Sequence, residues 1–314
     1  MALTIDQANA VSKKYFDTTL VQQVYEDSPL FVKLKQKNKI RKKGGNSIQY
    51  PIRYLKLDKA DAIDAKDQLT YEQLDTRGGA SLDWCYYYGQ ALISWDERVT
   101  NAGEAQIIDL MADKAKEMKE DIYDRFATDL FTSNPNGKGI VPLTTILSSA
   151  TYGGILGTSC TEWSAAMVNA TEDVVHLYGT DSLSYAVNAA TFGKNKPNFH
   201  LTTPDLKSKF ESVFEGQKRY EDFDLAKAGF DNLIFKGGPV VSDPHCNTSY
   251  WYGLDLNHLE FVAHPDFDFK LVDWFDLKQV GYPNALARVM TWVGNLKCDL
   301  RKSNFKYSVL SYAK

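Results

Sequence analysis

The 314-residue chain is 44% hydrophobic and 24% charged, a balance that excludes a disordered chain, a collagen-like repeat and a coiled-coil fibre. That length makes one large domain or two ordinary ones, and packed as a single ball it would have a radius of gyration of about 20 Å. The net charge of −4 conceals an asymmetry: Lys33, Lys35, Lys37, Lys39, Arg41, Lys42 and Lys43 form an acid-free run of +7, so the rest of the chain carries −11. Such a strip reads either as one face meeting a polyanion or acidic partner, or as a solvated charge run.

No apolar run approaches the roughly 20 residues of a spanning helix, and Met1-Ala2-Leu3-Thr4-Ile5-Asp6 has neither the basic start nor the apolar core of a signal peptide. A protein used in the cytoplasm, or carried out of it by something other than secretion, is expected. Cys85, Cys160, Cys246 and Cys298 lie far apart with no Cys-x-x-Cys pair, which predicts buried thiols in a reducing compartment.

In chain order, the first 40 residues read as an arm with short helical pieces. Ser28-Pro29 is a helix start, followed by Leu30, Phe31, Val32 and Leu34 and broken at Gly44-Gly45. Ile48, Tyr50, Ile52 and Tyr54 then alternate with polar residues and Pro51, as on an edge strand or half of an isolated ribbon. A matching stretch runs from Ser81 to Trp95, with Leu82, Trp84, Tyr86, Tyr88 and Leu92 in one phase, after an acidic connector from Leu57 to Ala80. A two-stranded ribbon is marginal alone in water, so its aromatic face is expected to lie on a neighbouring subunit.

Asn101-Ala102-Gly103-Glu104 has capping-box spacing, and Ile107, Met111, Ala115, Met118, Ile122, Phe126 and Leu130 recur after it at helical intervals up to Asn134-Pro135-Asn136-Gly137. About 30 residues at 1.5 Å each make a helix of ~45 Å, longer than a compact body of this size accommodates comfortably. The second half reads as mixed α/β. Helices are predicted over Glu162 to Tyr178 and after Thr203-Pro204, strand-turn-strand over Leu233-Ile234-Phe235, Gly237-Gly238 and Pro239-Val240-Val241, and closing strands from Leu286 to Leu310.

No motif for catalysis emerges. There is no phosphate-cradling Gly-x4-Gly-Lys-Ser/Thr loop, Gly153-Gly154-Ile155-Leu156-Gly157 is wrongly spaced for a dinucleotide site, and Gly157-Thr158-Ser159-Cys160-Thr161 is not a nucleophile elbow. Asp243-Pro244-His245-Cys246 has no partner pair elsewhere, His258 and His264 lack helical zinc spacing, and all read best as turn residues. Trp84-Cys85-Tyr86-Tyr87-Tyr88 could stack bases, but its flanks are acidic and the basic run lies some forty positions away.

The order of these elements, together with Ala228-Gly229-Phe230-Asp231-Asn232-Leu233, Phe235-Lys236-Gly237-Gly238-Pro239-Val240-Val241 and Asp243, resembles the tailed-bacteriophage major capsid proteins of the Hong Kong 97 type over nearly the whole chain. The resemblance implies an α+β fold: an N-terminal arm (1–43), an extended E-loop β-ribbon (44–100), a spine helix of the peripheral P-domain (101–138), an α/β axial domain (139–265) and a return to P-domain strands (266–314). It implies a structural, non-enzymatic protein of the virion, assembled in the host cytoplasm into hexamers and pentamers around double-stranded DNA, without cofactor, metal or membrane.

Expected site residues are the basic strip, facing DNA phosphates or clamping acidic neighbour segments such as Asp58 to Asp75. To these are added an E-loop packing face of Ile48, Tyr50, Ile52, Tyr54, Leu82, Trp84, Tyr86 and Tyr88, and a helix core face of Ile107, Met111, Met118, Ile122, Phe126 and Leu130. Expected partners are further copies of the chain, a portal, a separate scaffolding protein, since the chain starts almost directly with the arm, and optionally decoration proteins. Lys56, Lys59 and Lys66 lie where some relatives crosslink, but no partner is identifiable and crosslinking is not predicted. An encapsulin-like compartment is the alternative and an α/β enzyme a remote one.

Overall fold

The computed structural model describes residues 29–309 apart from 101–103, 171–178, 214–232, 279–284 and most of 54–74. Helix α1 (Pro29–Gln36) opens on the proline that presets its first turn. It stops before Gly44-Gly45, because Asn38 turns left-handed at φ 52° and Lys39 N–H donates back to the Leu34 carbonyl at 2.8 Å, a common helix ending. That stop frees Ile40–Lys42 to form strand β1. Next comes the ribbon, β2 (Ile48–Arg53) and β3 (Arg77–Leu82), antiparallel in the register Ile48↔Leu82 to Arg53↔Arg77. Tyr54 and most of the acidic connector lie outside the described residues.

The second ribbon strand is shorter than its sequence pattern suggests. It ends at Leu82, and β4 (Cys85–Ile93) pairs instead with β13 (Leu286–Cys298), from Cys85↔Gly294 to Ile93↔Leu286. The irregular Asp83-Trp84 step between β3 and β4 shifts the phase: the Trp84 indole donates to the Gly45 carbonyl at 2.8 Å and the Asn295 amide to the Asp83 carbonyl at 2.9 Å. Leu82 therefore points inward, as do Cys85, Tyr87, Ala91 and Ile93, while Tyr86, Tyr88 and Leu92 point out.

Helix α2 (Trp95–Thr100) begins with a reciprocal cap, Ser94 N–H to Glu97 Oε2 at 3.0 Å and Glu97 N–H to Ser94 Oγ at 3.3 Å. The long helix α3 (Glu104–Phe131) follows, and its 28 residues span ~42 Å. Met118, Ile122, Phe126 and Leu130 are buried along one side; the side chains of Ile107 and Met111 lie outside the described residues. At Gly89 the helix and β4 come so close that an added Cβ would sit 2.8 Å from Ile122. Buried Asp129 anchors the helix end, accepting from Tyr87 at 2.8 Å and Asn134 at 2.7 Å and pairing with Arg125 at 3.3 Å.

The first sheet runs β1, β10 (Leu259–Ala263), β13, with β4 on the far side of β13 and the short β11 (Lys270–Leu271) and β12 (Phe275–Asp276) continuing the β10 side. Between α3 and this sheet the Phe126 ring meets Phe31 and Trp292 at 5.0 Å, Phe261 at 5.1 Å and Tyr87 at 5.7 Å. The stretch after α3, with the short helix α4 (Leu143–Ile146), is tied down by buried Arg301. Its guanidinium donates to the carbonyls of Ile146, Ala150, Thr145 and Ser148 and lies over Tyr152 and Trp163. Burial pulls its pKa down, but four carbonyl acceptors and two ring faces replace the missing water.

The expected helix from Glu162 to Tyr178 is not formed where it is described. Thr161–Trp163 is a 3₁₀ turn and Ala166–Asn169 is strand β5; 171–178 lie outside the described residues. Pairing wins over local propensity here: β5 lines up parallel with β14 (Phe305–Ser308), Phe305↔Ala166 to Ser308↔Asn169. The second sheet, β5-β14-β9-β6-β8-β7, also contains β6 (Phe199–Thr202), β7 (Leu233–Phe235), β8 (Gly238–Ser242) and β9 (Tyr250–Leu254). One face packs on helices α5 (Leu183–Ala190) and α6 (Pro204–Val213) through Leu206, Phe210 and Trp251, and the other joins the main core through Tyr252 and Leu254.

Phe126→Ala should lower unfolding free energy by about 3–5 kcal/mol, measured by urea denaturation of the unassembled chain. A loss below about 1 kcal/mol would show that the ring cluster is not what holds α3 to the sheet.

Candidate assembly surfaces

The basic strip is divided among three local settings rather than presented as one face. Lys33 is buried and Lys35 half-buried in α1, Lys37 is exposed in the turn, and Lys39, Arg41, Lys42 and Lys43 lie on or beside β1. Strand β1 runs parallel to β10, Ile40↔Phe261 to Lys42↔Ala263, which brings its cations onto acids of the same chain. Glu260 of β10 pairs with Arg41 at 3.2 Å, Lys297 at 3.3 Å and Lys39 at 3.6 Å. Burial alone would raise the Glu260 carboxyl; the charges of Lys297, Arg41 and Lys39 outweigh it and hold the group below the ordinary glutamate range. Lys42 meets Asp268 at 3.0 Å, and Lys43 donates to the Gln49 carbonyl at 2.9 Å. Sequence reasoning found the cations but not Glu260 or Asp268, which lie over two hundred positions away.

The ribbon also finds cover within the chain. Ile48, Tyr50, Ile52 and Leu82 are buried in the main core, with the Tyr50 hydroxyl 3.3 Å from the Cys298 carbonyl and Ser81 N–H 3.1 Å from the Gly153 carbonyl. Gly153, at φ +63°, lets this loop approach, since a Cβ there would meet the Ala80 Cβ at 2.8 Å. The ribbon also carries an open depression of 490 Å³ lined by Gln49, Tyr50, Pro51, Arg77, Gly78 and Gly79.

Among the described residues, one row of uncovered apolar side chains lies on the outer face of the first sheet; others, such as Tyr71 in the connector, Trp95 and Phe192, are exposed elsewhere. Tyr86 and Tyr88 are each 71% exposed and Leu92 48%. Because residues opposite each other in a ladder share a face, Ala287, which pairs with both Leu92 and Phe275, extends this row to Phe275, itself 42% exposed. Trp84 is half-buried, packed edge-on at 5.5 Å to His264. Thus the eight residues expected on one ribbon face separate: Ile48, Tyr50, Ile52 and Leu82 turn inward, Tyr86 and Tyr88 outward, Trp84 plugs the step between, and Tyr54 is not described.

Cys85, Cys246 and Cys298 are buried and Cys160 half-buried, all as free thiols. Burial pushes Cys85 and Cys298 up to about 12. Buried His200 is lowered to about 4 by burial, consistent with the Trp251 indole 3.4 Å from its Nδ1, which then acts as acceptor. Among the described residues, no three His, Cys, Asp or Glu side chains gather as a metal site, and no helix is long and apolar enough to cross a membrane.

No family model matches the chain, and no curated protein does. Solved structures do. A chain of the cyanophage A-1(L) capsid asymmetric unit aligns with a TM-score of 0.62 at 17% identity, covering 88% of this chain and 91% of that one. A capsid chain of an empty GTA particle aligns at 0.56 with 8% identity, covering 88% and 96%. The holo-SrpI encapsulin complex from Synechococcus elongatus PCC 7942 aligns at 0.54 with 11% identity, covering 100% and 99%. The fold is the Hong Kong 97-type capsid fold. Within this capsid fold, the solvent-facing tyrosines and the Glu260 cluster occupy one sheet, on its outer face and at its β1 side.

Glu260→Gln should destabilise the chain by about 1–3 kcal/mol at pH 7. A carboxyl lowered in the folded state contributes fully above its unfolded value of about 4.3 and loses that contribution as pH falls through the folded value. The gap between wild type and variant in thermal melts should therefore close below about pH 4; a gap that persists there would contradict the ion-pair account.

Proposed function

We propose that this chain is the major capsid protein of a tailed bacteriophage, a structural rather than catalytic subunit that closes hexamers and pentamers into an icosahedral head around double-stranded DNA. The observation that carries this reading is the two-way, nearly full-length match to capsid chains of a cyanophage and of a GTA particle. On this reading the ribbon and its connector form the E-loop, α3 is the spine helix, the first sheet belongs to the peripheral domain and the second to the axial domain.

The row Tyr86, Tyr88, Leu92 and Phe275 suits a neighbouring copy. Aromatic side chains lose little entropy when fixed and dominate contact energies, and an exposed aromatic row on a sheet is the sort of patch that marks an interface. The ribbon of an adjacent subunit is the expected cover. DNA would be met through phosphates only, by exposed cations such as Lys43, which among the described residues has no acid at ion-pair distance, giving affinity without sequence preference. A portal, a separate scaffolding protein and optional decoration proteins complete the partner set. The full-length match to an encapsulin supports a second reading, a protein compartment with cargo.

Two measurements test this. Tyr88→Asp should leave the melting temperature of the unassembled chain near wild type while weakening each intersubunit contact by about 2 kcal/mol or more, so that sedimentation shows subunits in place of shells; normal shells would overturn the role of this face. Nuclease-resistant double-stranded DNA inside particles made in infected cells supports the phage reading, whereas particles holding a folded protein and no DNA would replace it with the compartment reading.

A further inference from the structure

His245 joins the long helix to the second sheet. It sits in the Asp243-Pro244-His245-Cys246 loop that follows β8, where its backbone N–H donates to Asp243 Oδ1 at 3.0 Å and Asp243 N–H donates to the Thr202 carbonyl at 2.9 Å. The loop is thereby fixed to the end of β6. From that position the imidazole faces two carboxylates: Nε2 lies 3.0 Å from Asp124 Oδ1 on α3, and Nδ1 lies 3.3 Å from Asp243 Oδ1.

A neutral imidazole carries one N–H, so it can satisfy only one of these carboxylates and turns a lone pair toward the other; both nitrogens donate only in the imidazolium form. Among the described residues, the titratable groups around it are Asp124 from α3, Asp243 from its own loop and the buried Cys246 thiol behind Asp243. Arg125, next to Asp124, is directed to Asp129 instead. The Asp243 carboxylate is almost wholly buried, and burial raises its pKa against the opposing influence of His245.

We propose that Asp124, His245 and Asp243 form a proton-operated clasp, closed when the imidazole is charged, that fixes α3 to the second sheet at mildly acidic pH and releases it above neutrality. Three features of the geometry support this. The contacts bridge elements 121 positions apart. They lie beside an apolar contact between the same two elements, the Phe131 and Tyr252 rings 5.8 Å apart, which protonation does not change. Histidine is the side chain whose ordinary titration falls between pH 5 and 8. In a shell subunit the clasp would add a pH-dependent tie between the long helix and the second sheet beside the apolar core they share.

The test is hydrogen–deuterium exchange of the full-length protein at mildly acid and mildly alkaline pH, corrected for chemical exchange rates and read on peptides covering 118–131 and 240–250. Wild type should show several-fold stronger protection of both segments on the acid side. His245→Gln, which keeps a donor but cannot be charged, and Asp124→Asn, a change at an exposed helix position, should each abolish that pH difference. Asp124→Glu should restore much of it. The same pH response in both variants, or no response in wild type, would overturn the proposal. Neither result depends on whether shells form.

Discussion

The Phe126 ring touches Phe31, Tyr87, Phe261 and Trp292, residues from α1, β4, β10 and β13 that lie up to 261 positions apart in the chain. Fixing α3 across the first sheet is the constraint that the remaining architecture obeys. With the helix seated, β4 must present Tyr87, Gly89 and Ala91 to it and therefore turn Tyr86, Tyr88 and Leu92 to the opposite side. Asp129, at the end of the same helix, is placed to accept from Tyr87 and Asn134. Because nearly every partner is distant in sequence, loop-closure entropy is lost before the contacts form, which favours slow folding.

Polar groups then secure what the rings position. Arg301 and the Tyr152 hydroxyl do this for the chain between α4 and β5: the first gathers carbonyls from Thr145 to Ala150, and the second bonds the Leu296 carbonyl at 3.1 Å and accepts Cys298 N–H at 2.8 Å. Tyr50 reaches the same end of β13, so the base of the ribbon is fixed to the loop at Gly153. The described part of the ribbon is thus rooted in the core of its own chain, and an uncovered aromatic row lies on the first sheet.

Elements set by local chemistry were legible in the sequence. Pro29 and Pro204 open helices, the run from Glu104 carries helical periodicity, and Gly237 turns the chain between two strands, one residue earlier than the expected Gly237-Gly238 pair because Gly238 already pairs with Phe235; caps, proline and hydrophobic spacing act within a few residues. What needed distant partners was not legible. The change of phase at Asp83-Trp84 depends on Gly45 and Asn295, 39 and 212 positions from the residues they meet; without them Leu82, Trp84, Tyr86 and Tyr88 read as one alternating face. Ala166–Asn169 became a strand because β14 was there to pair with it. The basic strip was plain as charge, yet its partners Glu260 and Asp268 follow only from the β1–β10 register. The ribbon face expected to lie on a neighbouring subunit is in part covered within the chain, because Ile48, Tyr50, Ile52 and Leu82 join the same core as the long helix and the first sheet.

Electron microscopy of the purified protein under assembly conditions addresses the central claim most directly, that this core belongs to a shell subunit whose aromatic sheet face is covered by other copies. Closed particles built of hexamers and pentamers, with density over Tyr86 and Tyr88 contributed by an adjacent subunit, are the predicted result. A monodisperse monomer under every condition, or shells in which that face stays open to solvent, would contradict it.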